Sequence, residues 1–287
     1  MLATVSMLKR ILGPIFLLSG ALAVHAQIEF LPATAPQAVF AGVLSAVRVT
    51  LRNRGSETVQ SEFSTRVVQV SSTTAMPVSG PRPWKRIQAL AEQTILESVS
   101  VSLPEVRTVT LFRVEVLAGG KSVAQYPVFA CPQDLLKQLT TISGGRRVGI
   151  FDPEGRLRPA LVKAGAAWVD LETSDRGSSD EYALAIFGPF ASRDKVPAEL
   201  STRANELNKR NVAVLALLPP GTLGGVDQGG SSQIMFASPG GTNPSIVFSE
   251  GGANEIADSA GSQLSIMRMA ELALGLRPPL IRDVAGR

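Results

Sequence analysis

Val212-Ala213-Val214-Leu215-Ala216-Leu217-Leu218-Pro219-Pro220-Gly221-Thr222 is the stretch that decides how the second half of this chain reads. Seven apolar residues follow one another without a polar break, and then two prolines and a glycine stop the run. A strand with one wet face alternates apolar and polar side chains. An unbroken apolar run of this length reads instead as a strand covered on both faces, the centre of a parallel sheet. The flanking segments fit that reading. Residues 146–151, 168–171 and 182–187 are further short apolar strands upstream, and 234–237 and 246–248 are two more downstream. Helical patterns separate them. Asp152-Pro153 suits an N-cap followed by proline at the first helical position, Leu157, Leu161 and Ala164 share one face, and Gly165 stops the helix. Pro197 opens a second helix with Leu200, Ala204 and Leu207 turned inward, ending near Arg210 and Asn211. Asp258 is placed to cap a last helix running through Leu264, Met267 and Leu272 to Gly275.

Before residue 130 the period changes to two. Val47, Val49 and Leu51 alternate with Arg48, Thr50 and Arg52, and Val99, Val101 and Leu103 alternate with Ser98, Ser100 and Ser102. These are strands with one buried face, and Asn53-Arg54-Gly55 turns the chain after the first of them. Leu111 and Phe112 switch facing at adjacent positions, which predicts a bulge there. Several short strands in about 100 residues predict an antiparallel β-sandwich. Trp84, after Gly80-Pro81-Arg82-Pro83, reads as a packing residue over a sandwich edge, with ligand stacking as the alternative.

The two ends and the composition narrow the chemistry. Lys9 and Arg10, the apolar run 11–23 and Val24-His25-Ala26 form a secretory signal cleaved before Gln27. The run is too short, and too broken by Pro14 and Gly20, to span a bilayer, so no stable membrane span is expected after cleavage. Clipping residues 1–26 removes Lys9 and Arg10 and no acidic side chain, so the formal charge of +4 falls by two. A nearly neutral surface is not built for phosphate backbones, and nucleic acid is not expected as a partner. Cys131 is the single cysteine, so no intramolecular disulfide forms, and it reads as a small buried apolar residue. His25, the single histidine, leaves with the signal. Without imidazole, Ser-His-Asp and Cys-His catalysis and His-ligated zinc are excluded, while carboxylate or lysine chemistry stays open.

The domain organisation follows. Residues 1–26 are the signal peptide, 27–130 the sandwich, 131–145 a linker with a short helix over 133–139 and a hinge at Ser143-Gly144-Gly145, 146–276 the α/β domain, and 277–287 a loosely held tail. The segment Val47-Arg48-Val49-Thr50-Leu51-Arg52-Asn53-Arg54-Gly55 resembles the bacterial cell-adhesion-related (CARDB-like) immunoglobulin-like domains, although the Cys, Trp, Cys spacing of antibody domains is absent. The second half is a three-layer, mainly parallel sheet of flavodoxin-like type. In the order Arg146-Arg147-Val148-Gly149-Ile150-Phe151-Asp152, Ala185-Ile186-Phe187-Gly188-Pro189 and Val212 to Leu217, it resembles a class I glutamine amidotransferase-like domain over about half the chain. That resemblance implies a cysteine nucleophile in the turn after residues 212–218 and a histidine further on. This chain has neither: the turn is Leu218-Pro219-Pro220-Gly221-Thr222, whose prolyl pair also removes backbone donors. Thr222 has no imidazole to activate it.

Ligands of such sheets sit at the carboxyl ends of the strands where strand order reverses. The candidate ligand-binding residues are therefore Asp152, Glu154, Gly188, Pro189, Pro220, Gly221 and Thr222, with no catalytic residue, no metal site and no cofactor. Two readings of the acids stand. Asp152 and Glu154 form an acid and base pair, or Asp152 caps a helix and Glu154 complements its positive end. Asp170, Glu172 and Asp175 form either a cation site or a solvated acidic turn, and they lack the Gly and distal Glu of a calcium loop. The Gly-rich run 221–230 lacks the Gly-Lys-Ser/Thr ending of a phosphate loop and reads as a loop over the crevice.

Three functions compete. The first is a non-catalytic interaction or scaffold protein, periplasmic or secreted, whose partner is another envelope or extracellular protein. The second is a small-ligand module using the crevice. The third is a hydrolase working through two carboxylates.

Overall fold

In the computed structural model, residues 27–33, 35–173, 181–222, 234–237, 246–250 and 256–276 are described. The expected signal peptide, Asp175, most of the Gly-rich run and the tail lie outside them. The chain divides into two compact units. One takes its described residues from Met1–Gln37, Gly42–Pro104 and Val109–Ala130, the other from Ala38–Ala41, Glu105–Thr108 and Cys131–Arg287.

The first unit is all β. Its strands are β1 (Ile28–Leu31), β2 (Gln37–Phe40, which runs into the second unit), β3 (Leu44–Asn53), β4 (Val59–Val70), β5 (Ala75–Pro77), β6 (Arg82–Ala89), β7 (Thr94–Ser102), β8 (Thr110–Ala118) and β9 (Lys121–Cys131). One sheet has the order β1-β3-β7, all antiparallel. The other places β8 between β9 and β4, with β5 and β6 both paired to β4. The alternation read from the sequence sets the faces: Val47, Val49, Leu51, Val99 and Val101 are buried, as are Phe112, Val114, Val116 and Val128 in the second sheet. Phe30 and Phe63 meet edge to face, 5.2 Å between ring centroids, across the sandwich.

Two buried polar side chains tie this unit together. Asn53 has no exposed surface. Its amide nitrogen donates to the carbonyls of Glu57, Ala89 and Leu90, and its oxygen accepts from the Gly55 N–H at 2.9 Å. The turn residue of the sequence motif is thus a buried clasp, satisfied at both ends of its amide. Tyr126 on β9 reaches the carbonyls of Leu31 and Thr50 on the other sheet with its hydroxyl, at 3.1 and 3.3 Å. Burial pushes its phenol up to about 12. Trp84 covers an edge: its indole N–H donates to the Ser98 carbonyl at 3.1 Å, and its ring lies 6.3 Å from that of Phe63. The bulge expected at Leu111 and Phe112 is instead between Val116 and Leu117. Phe112 keeps the inward register of Val114, while Leu111 and Arg113 take the other face, half buried, so apolar character there did not mean a change of facing.

The main run of the second unit starts at Cys131, a buried free thiol pushed up to about 11 by desolvation. Residues 131–145, read as a linker, are built into this unit. They hold a 3-10 turn, Leu135–Lys137, and α1 (Gln138–Ile142), and Leu135, Leu136 and Leu139 are fully buried. Then follow β10 (Arg147–Phe151), α2 (Arg158–Ala164), β11 (Trp168–Asp170), β12 (Tyr182–Phe187), α3 (Leu200–Lys209), β13 (Ala213–Leu218), β14 (Ile234–Ala237), β15 (Ile246–Glu250) and α4 (Ala260–Ala273). The sheet order is β11-β10-β12-β13-β15-β14, parallel except for β14.

The apolar run that opened the reading lies inside this sheet, between β12 and β15. Val214, Ala216 and Leu218 pack in one core with Leu200, Ala204 and Leu207 of α3. Leu215, between them, is buried on the opposite side, and α4 packs against β13 and β15 without sharing that core. Three helix starts differ from expectation: α3 begins at Leu200, three residues after Pro197. Asp152-Pro153 does not open α2, which begins at Arg158 with Pro159 in its first turn. Ser259 caps α4, its side chain accepting from the Ser262 N–H at 3.1 Å, while Asp258 pairs with Lys163 at 2.8 Å.

Candidate functional site

The strand order reverses between β10 and β12, the first strand of the sheet and the third, so the ends Asp152 and Gly188 are neighbours there. The end of β13, with Pro219, Pro220, Gly221 and Thr222, comes next to them. The sequence-derived residues are therefore brought to one end of the sheet. Their side chains are engaged in holding loops.

Asp152 has no exposed surface. One carboxylate oxygen accepts from the Arg156 N–H at 3.0 Å, and the other accepts from the N–H groups of Leu157 at 2.7 Å and Arg158 at 3.0 Å. Its place in the sequence read as a cap on the next residue. It acts instead over a five-residue turn, gathering the free amides that precede and begin α2. Both oxygens are engaged by the chain's own backbone amides, and the side chain is closed off from solvent.

Glu154 does not complement the helix end. Its Oε1 accepts from the Ala191 N–H at 3.1 Å and its Oε2 pairs with Arg156 at 2.8 Å, so it ties the loop after β10 to the loop after β12. That second loop has a cis Gly188-Pro189 peptide. The Gly188 N–H donates to the Phe151 carbonyl at 2.8 Å and the Phe190 N–H to the Leu217 carbonyl at 3.2 Å. Gly188 has φ +85°, and a Cβ there would lie 2.7 Å from the Leu217 carbonyl oxygen. Only glycine fits. Pro189 and Phe190 are buried, the latter in the α3 core, so the loop folds its own side chains inward.

In the turn after β13, the Thr222 hydroxyl donates to the Pro219 carbonyl at 2.7 Å, which makes it a turn clasp. Gly221 takes φ +75°, and the Arg193 guanidinium approaches it so closely that a Cβ would meet it at 3.3 Å. Pro220 is exposed.

Asp170 and Glu172 bind a cation of the chain's own. Arg158 pairs with Asp170 at 3.1 Å and also with Glu172, while the Glu172 carboxylate accepts from the Asp152 N–H at 3.1 Å. Arg158 also lies over the Trp168 ring at 5.7 Å. Among the described residues no group of three or more His, Cys, Asp or Glu side chains is arranged to hold a metal ion.

Two arginines were missed at the sequence level. Arg203 stacks over Phe151 at 5.0 Å and Phe187 at 5.7 Å and donates to the Leu171 carbonyl at 2.6 Å. Its signal was its spacing, three residues after Leu200 on the inward face of α3, where the stem of an arginine packs while its head finds a carbonyl. Arg158 carried no such signal, because its partners arrive from β11.

No family model matches the chain, and no curated protein matches it. Among solved structures it is similar to a β-glucosidase from Listeria innocua, 17% identical with TM-score 0.28, over 36% of this chain and 16% of that one. It is similar to the β-glucosidase EmGH1 from Erythrobacter marinus, 10% identical with TM-score 0.29, over 36% and 15%. A third is the alkylpurine DNA glycosylase AlkC from Pseudomonas fluorescens, 14% identical with TM-score 0.29, over 36% and 30%. The chain spans less than a third of the length of each, and likenesses this shallow carry no argument about its activity. Among the described residues, no helix is long and apolar enough to cross a membrane.

Proposed function

We propose that this is an exported, non-catalytic interaction or scaffold protein of the cell envelope. In this reading an immunoglobulin-like sandwich of the cell-adhesion-related kind precedes a flavodoxin-like, amidotransferase-like domain that lacks its nucleophile and histidine. The observation that carries it is the engagement of the acids at the strand ends. Asp152 holds three backbone amides, Glu154 holds Ala191 and Arg156, and Asp170 and Glu172 hold Arg158. A carboxylate hydrolase needs two acids facing one cleft with a substrate between them. These acids face their own backbone and their own arginine.

The test is proximity labelling from the exported protein in intact cells. A reproducible envelope partner supports the reading. Turnover of a glycan or amide substrate by purified protein, lost when Glu154 becomes Gln, overturns it.

The small-ligand reading keeps one feature in its favour, the reversal of strand order between β10 and β12, where open α/β sheets place their ligands. A metabolite that raises the melting midpoint of the purified protein would move that reading to first place.

A further inference from the structure

β8 turns Phe112, Val114 and Val116 into the sandwich, so Arg113 and Glu115 share the other face of the strand. Arg66 of β4 lies directly opposite Glu115 in the register and joins them there. The three side chains form one cluster. Arg66 Nε donates to one Glu115 carboxylate oxygen at 2.6 Å, and Arg113 Nη2 lies 3.0 Å from the other. The acid is buried, with 3% of its side chain exposed, whereas 36% of the Arg66 side chain and 27% of the Arg113 side chain are open to solvent.

Two cations against one anion leave this cluster with a surplus positive charge. Among the described residues neither arginine has a second acidic partner. Arg113 meets its one acid through a single nitrogen, and its buried Nε has no hydrogen-bond partner among the described residues, so the fold does not use this guanidinium up. The neighbours are uncharged. The register sets Val68 on one side of Arg113 and Pro127 on the other, with Gln125 beside Glu115.

We propose that Arg66 and Arg113 are the seat for one carboxylate of a partner protein, an aspartate or glutamate side chain that completes the pairing. This rests on the interaction reading above and names the chemistry of the partner. The charge balance selects the occupant. A carboxylate is a monoanion and neutralises the cluster, while a phosphomonoester, close to a dianion, would overshoot it next to Glu115. A nucleic-acid backbone is bound by a row of cations, and here the surplus is a single charge. The planar fork of a guanidinium matches a carboxylate, and Val68 and Pro127 give the stem of the incoming side chain an apolar surface to lie on.

The experiment follows the arginine Nε–H signals of the nitrogen-15-labelled full chain by NMR, as N-acetylglutamate N-methylamide is added at constant ionic strength. Its side-chain carboxylate is the only charge it has. The neutral glutamine analogue and dimethyl phosphate are the controls. The expected result is a saturating shift of the Arg66 or Arg113 signal with the glutamate analogue alone, at least about fivefold weaker binding in Arg113→Gln, and tighter binding in Glu115→Gln, where the competing acid is gone. Wild-type signals that do not saturate, an equal response to dimethyl phosphate, or unchanged affinity in Arg113→Gln overturns the proposal. Should Arg113→Gln not fold, Arg66→Gln, which leaves Glu115 its other cation, takes its place. Proximity labelling separates the seat from the interaction reading: partners that label wild type and Arg113→Gln alike overturn the seat and leave that reading standing, and the absence of any partner removes both.

Discussion

Asp152→Ala is the substitution that bears most directly on the reading of the crevice. The carboxylate receives three N–H groups, and removing it leaves all three without an acceptor. The Leu157 N–H is buried, so its charge-assisted bond is worth about 2 kcal/mol. The N–H groups of Arg156 and Arg158 are partly buried and water reaches them, so each loses about 1 kcal/mol. The expected loss is about 4 kcal/mol, a large share of the ~5–15 kcal/mol of a whole domain. Asp152→Asn, which keeps an accepting oxygen and loses the charge, should cost about half as much. Urea unfolding followed by far-ultraviolet circular dichroism measures both, and the slope with denaturant should stay unchanged. A loss under about 1 kcal/mol in Asp152→Ala would refute the reasoning. The acid would then be spare, and the crevice would hold a group free for a ligand or for proton transfer.

Two further predictions follow from the structure. Tyr126 is held neutral by burial up to about 12, against 10.0 for a free phenol. Below pH 10 the phenol is neutral folded and unfolded alike, so its contribution is complete. Between pH 10 and about 12 the unfolded chain ionises first, and about 3 kcal/mol of stability should disappear. Tyr126→Phe should reduce that slope in alkaline unfolding, leaving the parts due to Cys131, held up to about 11, and to Tyr182, also raised by burial; a slope unchanged in the variant refutes the assignment. Gly188→Ala combines a positive φ with a Cβ 2.7 Å from the Leu217 oxygen and 2.9 Å from the Phe190 nitrogen. Its melting midpoint should fall with a cost of about 3 kcal/mol, and a neutral effect would mean that the loop after β12 is not packed as described.

What was legible in the sequence was what depends on near neighbours. Alternation placed β3 and β7 correctly, and the apolar run at 212–218 lies inside the parallel sheet because both of its faces are covered. The end of the sheet where the candidate residues meet was legible too, since it follows from strand order. What each acid touches was not. Glu154 meets Ala191, 37 residues away, and Arg158 meets Asp170 from another strand, and no local pattern encodes such pairings. Asp152 misled for a related reason: its sequence suits a one-residue cap, but a wide turn before α2 carried its oxygens to amides four to six residues on. The bulge was misplaced because Leu111 is apolar and yet lies on the less buried face.

Cys131 has a consequence for where the molecule can be made. Its sulfur has no second thiol among the 287 residues to join, and burial suppresses its thiolate, so once folded it offers oxidants and glutathione little to act on. No disulfide within these residues has to form on the way to the native state, so its yield should be equal in reducing cytosol and in an oxidising lumen.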